Sequence, residues 1–115
     1  MTFDDVRAMA LALPQVEEST SYDTPAFRIR KRLIARLHHE EDAVVVKVSP
    51  LEREALLATK PDQFFITPHY EDSPSWILAR LATVDPEELA SLLADAWRRL
   101  APQRIVEAYD SGEFG

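Results

Sequence analysis

This 115-residue chain contains no cysteine, and its only two glycines are Gly112 and Gly115, at the end of the sequence. The lack of cysteine excludes disulfides, thiolate nucleophiles and zinc sites built on sulfur. The P-loop and the dinucleotide fingerprint need glycine where the backbone approaches phosphate, so both are excluded as well. The hairpin turns must therefore form without the usual Asn-Gly pairs.

The sequence also lacks any apolar run near the roughly 20 residues that a membrane helix needs. Its N-terminal segment, MTFDDVRAMALALP, carries acids where a signal peptide would carry bases. We therefore expect a cytoplasmic protein with no membrane partner. An apolar content of 46% with 29% charged residues is typical of a globular protein, and the length is that of one domain, predicted over residues 1–115.

Three segments carry helix signals. A capped, amphipathic stretch predicts a first helix over about Phe3–Leu13. Ser49-Pro50-Leu51-Glu52 is a capping box that begins a second helix, ending near Ala58. The widest apolar stripe predicts a third helix over about Pro86–Leu100. The residues of the second helix that are expected to face the core are Leu51, Ala55 and Leu56, with Leu57 as a further candidate. Residues 102–115 are predicted to form one further turn and a partly frayed tail.

Alternating apolar and polar residues predict the strands. Three strands are expected over Ala26–Arg30, Leu33–His38 and Val44–Val48, after a short edge strand within Gln15–Thr24. A further hairpin is predicted from Phe64 to Leu81. The predicted fold is α+β, a two-layer domain with a mainly antiparallel sheet and helices on one face, in the order α-β3/4-α-β2-α.

The alternation also predicts a buried and an open side of the sheet. The residues predicted to face the core are Phe27, Ile29, Leu33, Ala35, Leu37, Val44, Val46, Val48, Ile77, Ala79 and Leu81. Ile34 is expected on the open side, and Val16 and Tyr22 are expected to be buried in the edge strand. The net charge is -7, from 20 acids and 13 bases, and this total charge disfavours the binding of nucleic acid. The placement of the bases therefore matters more than their total.

The open side collects bases, and five of the 13 lie between Arg28 and Arg36. Such a basic face could contact DNA phosphates, with an indole ring stacking on a base. The predicted nucleic-acid-binding residues are Arg28, Arg30, Lys31, Arg32, Arg36, Lys47, Trp76 and Arg80. The alternative is a solvated sheet face, on which arginine stems cover the strands.

Other chemistries are less favoured by the sequence. His38, Glu40 and Asp42 alternate in a pattern that could hold a metal ion, but they are also typical of a strand ending in a turn. His69 and its polar neighbours have the residue types of an acid-base site, without any nucleophile motif. We expect no catalytic residues, no metal and no cofactor. Two alternatives remain: a homodimerisation or protein-interaction module, or a small enzyme around His69. The interaction module would use an apolar patch of Phe65, Trp76 and Leu78.

A family resemblance covers nearly the whole chain. Its motifs are Ala12-Leu13-Pro14, Pro25-Ala26-Phe27-Arg28, Val46-Lys47-Val48, Thr67-Pro68-His69-Tyr70, Trp76 to Leu81, and Ala96-Trp97. Together they resemble the MmcQ/YjbR-like family. The resemblance implies a CyaY-like or double-wing fold and a role in binding DNA, and it implies no catalytic site or cofactor. Members commonly have a glycine in the turn where this chain has Arg30-Lys31-Arg32, which adds charge there.

Overall fold

The computed structural model describes residues 1–113, and it confirms the predicted α+β fold. Its elements are α1 (Phe3–Leu11), β1 (Glu17–Ser21), β2 (Thr24–Ile29), β3 (Arg32–His38), β4 (Ala43–Lys47), α2 (Pro50–Thr59), β5 (Phe64–Phe65), β6 (Trp76–Arg80), α3 (Pro86–Leu100) and α4 (Gln103–Asp110). A short 3-10 turn, Pro68–Tyr70, lies between β5 and β6.

The six strands form one sheet in the order β1-β2-β3-β4-β6-β5. Every neighbouring pair is antiparallel. The predicted second hairpin is reduced to a two-residue strand, β5, in which Phe64 pairs with Ala79 of β6. The long segment between β5 and β6 is therefore free to fold over the open side of the sheet.

All four helices contribute to one hydrophobic core on the opposite side of the sheet. Val6, Leu56, Leu89 and Ile105, one from each helix, belong to the same buried cluster as the inward-facing residues of the strands. Burying these apolar side chains is the main force that holds the two layers together. No helix in residues 1–113 is long and apolar enough to cross a membrane.

The core-facing side of α2 differs from the prediction. Leu51 is 78% exposed and Ala55 is exposed as well, whereas Leu56 is buried as expected and Arg53 is buried with it. Residues 53 and 56 are three apart and therefore share one helix face. The helix is rotated so that this face turns inward, because Arg53 bonds to backbone carbonyls beyond β5.

A β-bulge corrects the predicted phase at the start of β3. Phe27 pairs with Ala35 and Arg28 pairs with Leu33, which leaves Ile34 as the extra residue. Ile34 is 1% exposed in the core, so its predicted place on the open side is wrong. Leu33 is shifted to the open side instead, opposite Arg28.

The C-terminal segment is helical over much of the range for which a partly frayed tail was predicted. Ile105 and Val106 of α4 are buried, and the Tyr109 ring lies edge-on to Trp97 with 5.0 Å between centroids. These apolar contacts hold α4 against α3. The predicted tail also includes Phe114 and Gly115, which lie outside the described residues.

Candidate functional site

The strand register decides which predicted site residues share the open side. Directly paired residues point to the same side of a sheet. Lys47 pairs with Trp76, while Arg36 pairs with Val45 and His38 pairs with Ala43. Ile77, Ala79 and Leu81 lie in the core. The predicted phase of β6 is therefore correct, with Trp76 and Arg80 on the open side.

Five bases gather at the end of the sheet formed by the β2–β3 turn, and we call them the basic tip. They are Arg28, Arg30, Lys31, Arg32 and Lys47. Arg32 pairs with the core residue Ile29, so at this end of the sheet it points toward the helical side and not toward the open side. The Nε of Arg28 donates to Ser19 Oγ at 3.1 Å, and its Nη1 donates to the Lys31 carbonyl at 3.1 Å. Within residues 1–113 the ion pairs all involve other bases, so no base of the tip lies within 4.0 Å of a carboxylate oxygen.

Trp76 stands beside the basic tip, but its ring is only partly free. The Lys47 Nζ lies 5.0 Å from the ring centroid, in cation–π geometry, and the indole is half-buried. One ring face is therefore occupied by a side chain of the tip. A nucleobase could stack on this face of the Trp76 ring only if the Lys47 side chain moved away from it.

Arg36 lies on the open side as predicted, but it is not an exposed phosphate contact. It is 7% exposed beneath the rings of Tyr22 and Tyr70, whose centroids lie 4.9 and 5.9 Å from its Cζ. Its Nη2 donates to the Tyr70 hydroxyl at 2.6 Å, and its Nη1 donates to the Leu37 carbonyl at 3.2 Å. Tyr22 is 72% exposed in the β1–β2 turn, so the prediction that it is buried was wrong.

Arg80 is separated from the basic tip. Its pairing with Ala43 places it at the opposite end of the open side, and its Cζ lies 4.1 Å from the centroid of the Phe65 ring. The eight predicted residues therefore do not form one continuous basic wall. The segment between β5 and β6 divides them.

That segment forms a roof over the middle of the open side. Tyr70 packs on Ala43, Val45 and Leu78 in a second, smaller apolar cluster. Leu78 is fully buried, so the predicted interaction patch around Phe65, Trp76 and Leu78 is not an exposed apolar surface. The roof is held by Arg53, which sequence reasoning missed although its position on the Leu56 face of α2 was a usable signal.

The contacts of Arg53 explain how the roof is fixed. Its Nη1 donates to the carbonyls of Tyr70, Ser73 and Trp76 at 2.9, 2.7 and 3.2 Å. A guanidinium that bonds several carbonyls of one segment restricts that segment strongly. The chain between β5 and β6 is thus positioned by a side chain from α2.

A pocket of about 340 Å³ opens beside the roof, at the end of the sheet opposite the basic tip. We call it the Arg36 pocket, and its lining residues are Tyr22, Asp23, Thr24, Arg36, His38, His39 and Glu40. The Nδ1 of His38 is buried and has no hydrogen-bond partner in the described part of the chain. These residues come from two turns and two strands that only the sheet brings together.

His69, the centre of the predicted acid-base alternative, is not among the residues that line this pocket. Its ring lies edge-on to Tyr70 at 4.7 Å and to Tyr22 at 6.2 Å between centroids. Among residues 1–113, no three His, Asp or Glu side chains gather in a way that could hold a metal ion. The histidine of the roof therefore contacts two aromatic rings.

Comparisons with solved structures agree with the fold. The chain is similar to the crystal structure of Deinococcus radiodurans protein DR2400, which contains a DUF419 domain, with a TM-score of 0.74 and 24% sequence identity. The match covers 96% of this chain and 88% of that one. At this identity the likeness supports the fold alone, and the CyaY-like description stays a prediction.

Sequence comparisons identify the family. Uncharacterised proteins of Mycobacterium bovis and Mycobacterium tuberculosis are 31% identical over 126 aligned residues, covering 94% of this chain and 95% of theirs. The family model described as YjbR matches residues 11–99, which contain β1 to β6, α2 and nearly all of α3. The open side, its roof and the Arg36 pocket all lie within that match. This chain therefore belongs to the YjbR family.

Proposed function

We propose that this protein is a non-enzymatic binding module that holds DNA through the basic tip of its sheet. The observation that carries the proposal is the absence of a carboxylate within 4.0 Å of any tip base in residues 1–113. A basic side chain without an internal counterion can exchange its solution ions for phosphates, which releases those ions and favours binding. The DNA-binding role implied by the MmcQ/YjbR-like resemblance supports the same proposal.

The acids of the β3–β4 turn do not oppose this binding strongly because they lie far from the tip, whereas Glu17 of β1, which pairs with Arg28, is the acid closest to it in the sheet. The exposed acids Glu40, Glu41 and Asp42 lie in the β3–β4 turn, at the far end of β3 from the basic tip. The length of β3 puts roughly 20 Å between the two ends. This distance is about two Debye lengths at 0.1 M salt, so the negative charge of those acids has little effect on the electrostatic potential at the tip.

The tip favours backbone recognition over base recognition. Arg30, Lys31 and Arg32 are exposed at a convex turn, a shape that suits contacts with phosphates. Trp76 is the neighbouring aromatic group, and the Lys47 side chain already covers part of it. We therefore propose binding with little sequence preference, in which stacking on Trp76 has a secondary role.

Fluorescence anisotropy with labelled single-stranded and double-stranded DNA tests this proposal. We expect binding at low salt, with the logarithm of affinity falling against the logarithm of salt concentration at a slope of about -3 to -4, for about four phosphate contacts. Arg30→Gln combined with Arg32→Gln should weaken binding at least tenfold and flatten this slope by about two, since each lost phosphate contact removes about one.

The matched control removes the same charge from the helical side of the protein. Arg99→Gln combined with Arg104→Gln also lowers the net charge by two, at exposed positions of α3 and α4. This variant should bind DNA within about twofold of the parent protein. Equal weakening by both double variants, or no DNA binding at low salt, would contradict the proposal.

A further inference from the structure

Two arginines are buried in this protein, and they differ in how their charge is compensated. Arg36 is 7% exposed and Arg53 is 8% exposed, and neither lies within 4.0 Å of a carboxylate in residues 1–113. Arg53 donates to three backbone carbonyls. Burying a charge is costly unless it is paired or fully hydrogen-bonded, and three carbonyl acceptors reduce that cost for Arg53.

Arg36 differs from Arg53 in lying beside an open pocket. Within the described residues its Nη1 and Nη2 each make one hydrogen bond, to a carbonyl and to a phenolic hydroxyl, so three of the five N–H donors of its guanidinium have no protein partner. Unlike Arg53, Arg36 lines the open pocket of about 340 Å³. A positive charge with donors to spare therefore forms part of the wall of a space large enough for a small molecule.

The other walls of the pocket include an aromatic ring, two histidines and two acids. Tyr22 supplies the aromatic wall and is held there by a two-residue turn, Tyr22-Asp23, in which both residues have positive φ, 53° and 61°, as a two-residue hairpin turn requires.

We propose that the Arg36 pocket binds the oxyanion group of a small organic molecule, either a carboxylate or a phosphate monoester. Arg36 anchors the anionic oxygens. Asp23 and Glu40, which also line the pocket, accept hydrogen bonds from hydroxyl or amino groups elsewhere on the ligand. This site is separate from the basic tip, because Thr24 and Arg28 are four residues apart on β2, roughly 13 Å.

Titration of the 15N-labelled full chain by NMR tests the proposal, with inorganic phosphate and acetate as separate probes. We expect saturable shifts in the amides of Thr24, Arg36, His38 and His39 with at least one probe, at millimolar concentration. Sodium chloride at matched ionic strength should not produce them. If only phosphate saturates, the ligand group is a phosphate monoester. If only acetate saturates, it is a carboxylate. If both saturate, the pocket is a general oxyanion site.

Single substitutions test whether the anion binds in the pocket. Arg36→Gln should weaken binding of the saturating anion at least tenfold, while Arg104→Gln, which removes one charge from an exposed position of α4, should change it less than twofold. Tyr22→Ala, at a largely exposed position, should weaken anion binding several-fold and serves if Arg36→Gln does not fold. The proposal is overturned if neither probe saturates, if chloride gives the same shifts, or if Tyr22→Ala and Arg104→Gln act alike.

Discussion

Individual residues in this chain adopt backbone conformations that glycine would normally supply. Gln15, Tyr22, Asp23, Arg30, Lys31 and Asp42 all have positive φ. For a residue with a Cβ this conformation costs roughly 1–2 kcal/mol relative to right-handed backbone. Two of these residues, Arg30 and Lys31, belong to the basic tip, so the charge that we propose for DNA binding occupies strained turn positions.

Replacing Lys31 by glycine should therefore stabilise the fold and weaken DNA binding. Its φ is 69°, a conformation that glycine adopts without a Cβ clash. We expect the free energy of unfolding in urea to rise by about 0.5–1 kcal/mol, because relief of strain exceeds the entropy that glycine adds to the unfolded chain.

Lys31→Ala is the matched control, since it removes the same charge but keeps the strain. Both variants should lose DNA affinity equally, by roughly threefold to tenfold for one phosphate contact. Only Lys31→Gly should be more stable than the parent. A gain in stability for both variants would show that repulsion within the tip, and not backbone strain, limits stability at this turn.

The capping box of α1 predicts that the stability of the fold depends on pH. Hydrogen bonds from Thr2, first from its backbone N–H, lower the pKa of Asp5 below its ordinary value. A carboxylate whose pKa is lower in the folded state stabilises the fold above its unfolded pKa and loses this effect as pH falls through the folded pKa.

Asp5→Asn should therefore be less stable than the parent at pH 7, and this difference should shrink as the pH is lowered below the unfolded aspartate pKa of about 3.9. Urea unfolding at pH 7 and at pH 2.5 measures the two differences. An equal difference at both pH values would show that the charge of Asp5 contributes nothing to the cap.

Among the structural elements, α2 has a role that its apolar pattern conceals. Its buried face carries an arginine as well as Leu56, and that arginine fixes the roof between β5 and β6. The roof in turn places Tyr70 over Arg36 and over the second apolar cluster. A helix on one side of the sheet thereby controls access to the open side.

Arg53→Met tests this coupling. The change removes the guanidinium from three carbonyls, and we expect a loss of about 2–3 kcal/mol in the free energy of unfolding. Amide hydrogen exchange should accelerate most in residues 70–76, because this segment loses its anchor.

Arg104→Met, at an exposed position of α4, should change the free energy of unfolding by less than about 0.5 kcal/mol. If hydrogen exchange after Arg53→Met accelerates evenly across the sheet, the arginine supports the whole fold and not the roof in particular.

At the scale of the whole molecule, the two turns that flank β3 carry opposite charge. The net charge of the chain is -7, yet the β2–β3 turn carries consecutive bases and the β3–β4 turn carries consecutive acids. Because electrostatic interactions between exposed charges are screened over about 10 Å at 0.1 M salt, the two ends act separately in physiological solution. At very low salt the screening length exceeds the strand, and the total charge becomes important.

Glu40→Gln combined with Glu41→Gln should reveal this change of regime. Near 0.01 M salt, where the Debye length is about 30 Å, removing two acids should raise DNA affinity several-fold. At 0.15 M salt the change should be less than twofold. Anisotropy at the two salt concentrations checks this, and a large, equal gain at both would mean that net charge governs binding.

The elements could be predicted from the sequence wherever local patterns were strong. Pro86–Leu100 was predicted with its observed bounds, since its cap and its wide apolar stripe agree. The inward phase of β6 was also predicted correctly. Ile34 and Leu33 were assigned to the wrong sides because a bulge arises from pairing with another strand, which the alternation of one strand does not contain.

The candidate site was also predictable from the sequence only in part. The basic tip is contiguous in sequence apart from Lys47, so composition and alternation were enough to locate it. The burial of Arg36 and the separation of Arg80 from the tip depend on the roof, whose position is set by contacts between residues 17 to 23 positions apart. No local pattern encodes such contacts, since they depend on side-chain packing across elements.

The sequence by itself determined that this chain forms an α+β layer of helices on an antiparallel sheet, and that it has no cysteine-based or glycine-based site. Those features depend on periodicity and on residue chemistry, which are local properties. Only the tertiary structure decided which arginines remain available to a ligand. Accessibility is a property of the folded surface, and here Tyr22 and Tyr70 leave the tip bases open while they enclose Arg36 beside a pocket.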